Sequence, residues 1–441
     1  MFSAALASHE NPSQSSRFSM RWGPWLITSC VVVAIYIASP NFRWQPGPTA
    51  SPYAGDFIHD WIGAYIMANA PRERLYDLEF AQQVQHDVGI VGYEWNSDKY
   101  FPLVYPPFYY VLVQPLAWLS FSHAVWLWGA GMIGCLFAAI GLLIRHARFS
   151  WTDGQEAMRW LSVLPWVLPA ALLYTPIVES LSSSQKGTIC LLIFVATFCL
   201  LRSERPFRAG LVFGCMAFKP QLALVLGLAL LWKRQWQFVV GAATTLVVLI
   251  LVTLALGTSV CADYWEFSRK ASTYVQTAGY DLTESHCLYG FFSLLFGDQN
   301  LKYTQLAMLT VGCMVVALLG RLLQGPFDTS SPRFEWQFSG MVVASVLLSP
   351  HLFTYDLSIL FIPIFLISGA WCMRRSADLT LPLAFSLALY VTPYLSMFVA
   401  AHTRVQVTIL LMIGLLFALA GRVHQVSPVS GSNTWRYRAA G

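Results

Sequence analysis

Apolar runs close to the length of a bilayer crossing recur along this chain from residue 24 to residue 421. A helix needs about 20 apolar residues to cross the hydrocarbon layer. Because hydrocarbon offers peptide groups no hydrogen-bond partners, such runs predict helices rather than open strands. Of the 441 residues, 56% are hydrophobic and only 11% are charged, too few to solvate a globular surface. The sequence therefore predicts an all-α polytopic membrane protein with a single integral membrane domain, residues 1–441.

The basic residues lie in clusters between the apolar runs, and these clusters orient the chain. Cytoplasmic segments of membrane proteins are enriched in Lys and Arg. This rule places both termini in the cytoplasm and explains the net charge of +5 without a nucleic-acid partner. The clusters are Arg145–Arg159, Arg202–Arg208, Lys233–Arg234, Arg321–Arg333, Arg374–Arg375 and Arg422–Arg438.

Between these clusters the chain has room for about twelve membrane-spanning helices, several of them short. The first is kept as a span because no small-residue cleavage pattern follows it. The predicted spans are 24–41, 123–144, 160–178, 186–201, 208–218, 220–232, 237–257, 303–323, 337–350, 353–373, 380–398 and 405–421.

Two long extracytoplasmic segments follow from this topology, residues 42–122 and 258–302. Long ordered loops often carry function. Within the first, residues 107–120 are apolar enough for a span, but a span there would move the Arg202–Arg208 cluster to the outer side. Their Tyr, Trp and Pro content favours a membrane-surface helix instead.

The nine cysteines mostly lie inside apolar runs, where a thiol behaves as a small hydrophobic group. None has the spacing of a metal site, so no metal ligands are predicted. Cys261 and Cys287 differ because both lie in the second outer segment, where a disulfide can persist. Whether they are bridged stays open at this point.

Three ionisable residues follow the first predicted span. Asp56 lies just beyond its outer end, and His59 and Asp60 come one helical turn later. A carboxylate at the membrane surface can act as a general base on a sugar hydroxyl. The alternative is that Asp56 only caps a helix N-terminus, where Asp is favoured.

Basic and polar groups at other outer helix ends are candidates for binding an anionic substrate. Lys219 divides an apolar stretch and is costly there unless it meets water or an anion. Gln185 and Lys186 occupy an outer turn, and Tyr105 precedes two prolines that stiffen the chain. The ordinary alternatives are a snorkelling lysine, a solvated turn and a simple helix start.

His351 and Asp356 lie in another short outer turn and at the start of the helix that follows it. Ionisable groups within membrane segments suggest function, although a buried structural His–Asp pair would also satisfy them. Each of these signals is weak alone. Together they are informative, because all of the groups fall at the outer ends of helices on a topology drawn from arginines.

These residues together resemble the polyprenol-phosphate-sugar-dependent glycosyltransferases of the GT-C class, specifically glycosyltransferase family 87, which includes mycobacterial phosphoinositide mannosyltransferases. The order and spacing of several short motifs carry the resemblance over most of the chain. The motifs are Gly55-Asp56, Leu75-Tyr76-Asp77, Tyr105-Pro106-Pro107, Pro115-Leu116-Ala117, Gln185, Ala209-Gly210, Lys219-Pro220, Ser349-Pro350 and Asp356.

The resemblance implies a GT-C fold with membrane-surface helices in the first outer loop. It also implies inverting, metal-independent transfer of a hexose, with mannose favoured, from a polyprenyl-phosphate sugar to a lipid or glycan acceptor. The base role carries onto Asp56, with Asp60 as the second choice, and His351 matches a histidine region near the family's site. The family often has Gly-Gln-x-Asn where this chain has Ser184-Gln185-Lys186-Gly187, so a donor contact at that turn is less secure.

The expected location is the inner (plasma) membrane, and no cofactor is expected. In this hypothesis the donor phosphate binds near Lys219, Lys186 or His351. Gln185, Asp356, Tyr105 and His59 complete the predicted substrate site. Two rival functions are a membrane lipid or glycan flippase and an envelope polymer ligase. A flippase would place polar groups along a path through the bilayer, and a ligase would use a large late outer loop.

Overall fold

The computed structural model describes residues 54–94, 101–147, 166–277, 282–297, 300–374 and 379–421. Helices form nearly all of the regular structure in these ranges, and one isolated β-bridge joins Ser285 to Phe353. The α-helices include α1 (Phe57–Asn69), α2 (Leu78–His86), α3 (Val88–Val91), α4 (Pro107–Val113), α5 (Phe121–His146), α6 (Thr175–Ser182), α7 (Gly187–Arg202), α8 (Pro206–Gly214), α9 (Pro220–Trp232), α10 (Trp236–Leu254), α11 (Thr258–Thr277), α12 (Leu288–Phe296), α13 (Leu301–Leu322), α14 (Pro332–Leu347), α15 (Phe361–Arg374), α16 (Thr380–Thr403) and α17 (Val407–Ala420). The 3-10 helices include Arg72–Arg74, Gln114–Trp118, Cys215–Phe218, Leu282–Glu284 and Thr354–Leu360.

Within the described ranges, five helical segments are long and apolar enough to cross a membrane. Shorter apolar helices accompany them, including α7, α9 and α17. The prediction of an all-α membrane protein is therefore confirmed, and the number of twelve spans stays a prediction. The predicted span 24–41 lies outside the described residues, as does the first part of span 160–178.

The segment predicted to be the first outer one has its own apolar core. Phe57 and Trp61 of α1 pack with Phe121 at the start of α5, and the Trp61 indole donates a hydrogen bond to the Leu116 carbonyl, 3.1 Å away. Residues 107–120 form the seven-residue helix α4 and a 3-10 helix, and neither is long enough to cross a bilayer. This geometry fits a surface segment.

Close packing of α8 against α10 brings the Lys219 region into place. Gly210 of α8 approaches the Phe238 carbonyl so closely that a Cβ atom there would overlap it, and Gly241 of α10 makes the reciprocal approach to Phe207. Small residues allow this kind of contact between apolar helices. Lys219 directly follows the 3-10 helix Cys215–Phe218 and directly precedes α9, which begins at Pro220.

Several of the basic clusters meet at one end of the bundle. The Arg202 guanidinium pairs with Glu335 at 2.9 Å and donates to the carbonyls of Thr329 and Ser331. The Lys233 ammonium donates to the Leu323 carbonyl at 2.9 Å. Helix α7 runs for 16 residues, about 24 Å, from this basic end to the end that carries Lys186. Which end faces the cytoplasm stays a prediction.

Replacing Arg202 with leucine is expected to lower the free energy of unfolding by about 3–5 kcal/mol, because Glu335 would remain buried without its guanidinium partner. The double variant Arg202→Leu/Glu335→Leu should recover a large part of this loss, since it removes both charges. Thermal unfolding in detergent measures both effects. Equal melting temperatures for wild type and Arg202→Leu would show that the pair contributes little.

The structure leaves Cys261 and Cys287 as free thiols with separate partners. Cys261 lies on α11, where its Sγ contacts the Thr253 carbonyl at 3.7 Å. Cys287 precedes α12 and contacts the Pro350 carbonyl at 3.4 Å. The structure therefore does not form the disulfide considered from the sequence, because the two thiols contact different parts of the chain.

Candidate functional site

Two turns are brought close together by a glycine. Ala54 and Gly55 both have positive φ, and a Cβ atom on Gly55 would lie 2.8 Å from the Ser183 carbonyl oxygen. Glycine accepts this conformation and this approach without a steric penalty. The Trp128 indole also donates to the Ser184 carbonyl at 3.1 Å, which fixes the second turn against α5. The start of α1 therefore lies directly beside the turn that precedes α7.

Asp56 stands at the N-cap position of α1, but its side chain makes no capping hydrogen bond. Its carboxylate instead accepts a hydrogen bond from the Gln185 amide. The Ser180 hydroxyl donates to the Gln185 carbonyl at 2.7 Å and so holds that turn. The N-cap position expected in the alternative interpretation is confirmed, but the side chain does not cap the helix. The carboxylate is instead half-buried and oriented by a residue 129 positions away.

Asp60 and Lys186 form an ion pair in which neither side chain is exposed. The ammonium lies 2.6 Å from one carboxylate oxygen of Asp60, and the His59 imidazole lies 3.3 Å from the other. Burial raises the pKa of Asp60 to about 6, against the opposing effect of Lys186. Burial also holds the pKa of His59 well below its usual range, helped by the charges of Lys186 and Lys219. His59 is therefore neutral at physiological pH.

Tyr105 lies between this pair and the Lys219 region. The Lys186 ammonium is 4.4 Å from the centre of the Tyr105 ring, within the range of a cation–π interaction, and His59 stacks on the same ring. Phe218 packs against Tyr105 with ring centres 6.1 Å apart. The Tyr76 hydroxyl donates to the Tyr105 carbonyl at 2.7 Å and fixes its backbone. Tyr105 is thus more than the residue before a helix.

Lys219 forms a second buried ion pair, with Asp356. Its ammonium also lies 4.9 Å from the centre of the Tyr355 ring. The Asp356 carboxylate accepts from the backbone N–H of Phe353 at 3.4 Å, which ties it to the Ser349–Asp356 turn. The snorkelling interpretation of Lys219 is wrong, because only 5% of this residue is exposed and its charge is paired inside the protein.

His351 lies half-buried at the edge of this second pair. Its ring packs edge-on against Phe353, with ring centres 4.7 Å apart, and Ser349 donates to its carbonyl at 3.0 Å. Burial lowers the pKa of His351. The charge of Asp356 acts to raise this pKa, and the charge of Lys219 acts to lower it further. The turn therefore presents a neutral imidazole beside the Lys219 ammonium.

The structure thus brings all nine predicted site residues to one end of the bundle. They form two groups joined by Tyr105: one at the start of α1 and the turn before α7, the other at the α8–α9 break and the Ser349–Asp356 turn. The first group is Asp56, His59, Asp60, Gln185 and Lys186, and the second is Lys219, His351 and Asp356.

Sequence reasoning missed two aromatic residues at this site. Tyr109, one helical turn after Tyr105, is buried 5.7 Å from the Lys186 ammonium, and Tyr355 neighbours Lys219. Tyr109 lies two residues after the Tyr105-Pro106-Pro107 motif, and Tyr355 immediately precedes Asp356, so their closeness to these residues was the available signal. Among the described residues, no group of three or more His, Cys, Asp or Glu side chains is placed to hold a metal ion.

Comparison with known proteins decides the family. The model of glycosyltransferase family 87 matches residues 103–350, more than half of the 441 residues. The chain belongs to glycosyltransferase family 87. The matched range includes Tyr105, Gln185, Lys186 and Lys219. Asp56 and Asp356 lie outside it, so their assignment to the site rests on their contacts with residues of the matched range.

One relative is the polyprenol-phosphate-mannose-dependent alpha-(1-2)-phosphatidylinositol pentamannoside mannosyltransferase of Mycolicibacterium smegmatis (strain ATCC 700084 / mc(2)155). The two sequences are 24% identical over 194 residues, which is 44% of this chain and 42% of the relative. The chain therefore matches less than half the length of this relative. No solved structure matches the chain.

Proposed function

We propose that this protein transfers a hexose, with mannose favoured, from a polyprenyl-phosphate sugar to a lipid or glycan acceptor. Membership of family 87 supports glycosyl transfer. The mycobacterial relative is named as a polyprenol-phosphate-mannose-dependent mannosyltransferase, which supports a polyprenol-phosphate-mannose donor. The helical membrane domain supports a donor whose long chain lies in the bilayer.

The observation that carries the proposal is the position of Asp56. Its carboxylate is half-buried and held by Gln185, whereas Asp60 is fully buried and paired with Lys186. Asp56 is the more exposed of the two carboxylates, so an incoming hydroxyl reaches it more readily than it reaches Asp60. Asp56 is therefore the better general base, and Asp60 serves to hold Lys186 in place.

In the proposed step, the acceptor hydroxyl gives its proton to the Asp56 carboxylate as its oxygen bonds to the anomeric carbon of the sugar. The bond from that carbon to the phosphate oxygen breaks at the same time, and polyprenyl phosphate leaves with the electron pair. A single displacement of this kind inverts the anomeric configuration. Because phosphate is a good leaving group, the second carboxylate that glycosidases use as an acid is not required.

Charge develops on the departing phosphate, and the two buried lysines are placed to stabilise it. Preorganised cations in a water-poor site are effective at this task. Lys219 has the half-buried His351 beside it, so it is the better candidate for direct phosphate contact. Lys186 lies deeper, next to Tyr105. With these groups neutralising the phosphate, we propose a metal-independent reaction.

We further propose that the site end of the bundle faces the extracytoplasmic side of the inner (plasma) membrane. The contacts of Arg202 and Lys233 at the opposite end support this orientation, because basic segments favour the cytoplasm.

The test is sugar transfer by the purified full-length protein in detergent, with a panel of radiolabelled polyprenyl-phosphate sugars, candidate lipid acceptors and EDTA. Transfer from polyprenyl-phosphate mannose in EDTA is expected. Transfer only after Mg²⁺ or Mn²⁺ is restored would contradict metal independence. If the folded protein transfers no sugar but moves a labelled lipid-linked glycan across proteoliposomes, the flippase replaces the proposal. Joining of preassembled polymers would favour the envelope ligase.

A further inference from the structure

A histidine outside the proposed catalytic groups lies buried in the second outer segment. His286 has no exposed surface. Its Nδ1 is 2.7 Å from the Thr408 hydroxyl, and its Nε2 is 3.0 Å from the Thr354 hydroxyl. Its backbone N–H also donates to the Leu352 carbonyl at 2.9 Å. Both ring nitrogens therefore have partners on different parts of the chain.

One of these partners lies on the segment that carries Asp356. Thr354 begins the 3-10 helix Thr354–Leu360, two residues before Asp356. Thr408 lies on α17 instead, so the imidazole joins the Asp356 segment to a membrane helix. A displacement of Thr354 would move Asp356 and, with it, the Lys219 ammonium.

The neighbours of His286 attach to the same turn. Ser285 forms the isolated antiparallel bridge with Phe353, and the Cys287 Sγ contacts the Pro350 carbonyl. Three consecutive residues of one segment therefore contact four residues of another, Pro350, Leu352, Phe353 and Thr354. His286 is the member whose side chain contacts Thr354, the residue that begins the 3-10 helix carrying Asp356.

We propose that His286 is a positioning residue for the Lys219–Asp356 ion pair, through its Nε2 contact with Thr354. This inference rests on the proposed function, because it assigns His286 to the placement of the lysine that meets the departing phosphate. Displacement of a catalytic group by about 1 Å can cost roughly 100-fold in rate. Loss of the Nε2 contact therefore lowers turnover more than loss of the Nδ1 contact does.

The protonation state of the His286 imidazole agrees with a positioning role. Burial lowers the pKa of His286 to about 3, so the ring is neutral at physiological pH. A neutral imidazole has one N–H donor and one acceptor nitrogen, and a hydroxyl can serve either. Both hydrogen bonds are therefore satisfied without bringing a further charge into the site.

Two matched pairs of variants separate positioning from simple stabilisation. Glutamine places an amide near the Nε2 position and asparagine near the Nδ1 position, so His286→Gln keeps the Thr354 contact and His286→Asn keeps the Thr408 contact. Thr354→Val and Thr408→Val remove one hydroxyl each at nearly constant volume. We expect His286→Asn and Thr354→Val to lower kcat about tenfold or more. His286→Gln and Thr408→Val should stay within about threefold of wild type.

Donor KM and thermal stability are measured on the same four variants. The expected result is a fall in kcat that follows the Thr354 contact, while the two members of each pair lose similar melting temperature. In an Asp356→Asn background, Thr354→Val should cause no further fall in kcat, because it acts through Asp356. Equal kcat losses within each pair, or additive losses in that background, would overturn the proposal.

Hydrogen exchange provides a readout that does not depend on transfer. Peptides covering residues 349–360 should exchange faster in Thr354→Val than in Thr408→Val, because only the first variant removes the side-chain hydrogen bond between this segment and His286. Equal exchange in the two variants would refute the positioning role. Absence of transfer by the wild-type protein would instead refute the proposed function, and the exchange comparison would still decide whether His286 holds the segment.

Discussion

Replacing Asp56 with asparagine is expected to lower kcat for sugar transfer by about 10²- to 10⁴-fold, the usual contribution of a general base. Asparagine has nearly the same shape and can still hydrogen-bond to the Gln185 amide, so the loss reports the missing base rather than a collapsed turn. Steady-state kinetics with a saturating donor measures the effect. The melting temperature should remain close to that of the wild type.

Two further aspartates serve as controls in the same loop. Asp87 caps α3 by accepting from the Gly89 N–H at 2.8 Å, and asparagine caps equally well, so Asp87→Asn should retain wild-type kcat. Asp60→Asn removes the partner of a fully buried lysine and should lower the unfolding free energy by about 3 kcal/mol or more. The base lies elsewhere if Asp56→Asn keeps its activity; Asp60 becomes the base if its variant loses kcat without losing stability.

The helices could be predicted well where an apolar run lies between charged groups. The predicted span 186–201 corresponds to α7, and 237–257 corresponds to α10 apart from its last turn. The predicted span 208–218 is less regular than expected, because α8 gives way to a 3-10 turn at Cys215. Hydropathy locates a crossing, but it does not report a change of helix type within it.

The grouping of the site residues could be predicted only as a shared side of the membrane. The sequence places Asp56 and Gln185 at outer helix ends, but it does not show that one binds the other. That contact depends on the approach of Gly55 to Ser183, which brings the start of α1 beside the turn that precedes α7. Long-range packing of this kind leaves no local pattern in the sequence.

His286 could not be predicted at all. It is a single histidine in a polar outer stretch, and such a residue is ordinarily solvated. Its burial results from packing against two distant segments, one with Leu352 and Thr354 and the other with Thr408. Neither segment carries a sequence motif that indicates contact with the other.

Replacing Lys219 with glutamine is expected to lower kcat by about 10²- to 10³-fold, comparable to removing one donor that stabilises a developing anion. The reason is that Lys219 is the buried cation beside His351, where the phosphate is proposed to leave. Transfer kinetics with polyprenyl-phosphate mannose measures the loss. Lys233→Gln is the matched control, because Lys233 donates to backbone carbonyls at the basic end of the bundle and should keep wild-type kcat.

A lower rate for Lys219→Gln could also result from a loss of folding stability. Stability measurements can distinguish this explanation from the loss of a cation that stabilises the phosphate. The variant leaves the Asp356 carboxylate buried without its ammonium, and this alone costs about 3–5 kcal/mol of unfolding free energy. The double variant Lys219→Gln/Asp356→Asn removes both charges and should regain much of the melting temperature. If Lys219 acts on the phosphate, that variant stays inactive although it is folded. Recovery of kcat together with stability would instead make the pair structural, and the phosphate would then have to meet Lys186, the other buried ammonium at this end of the bundle.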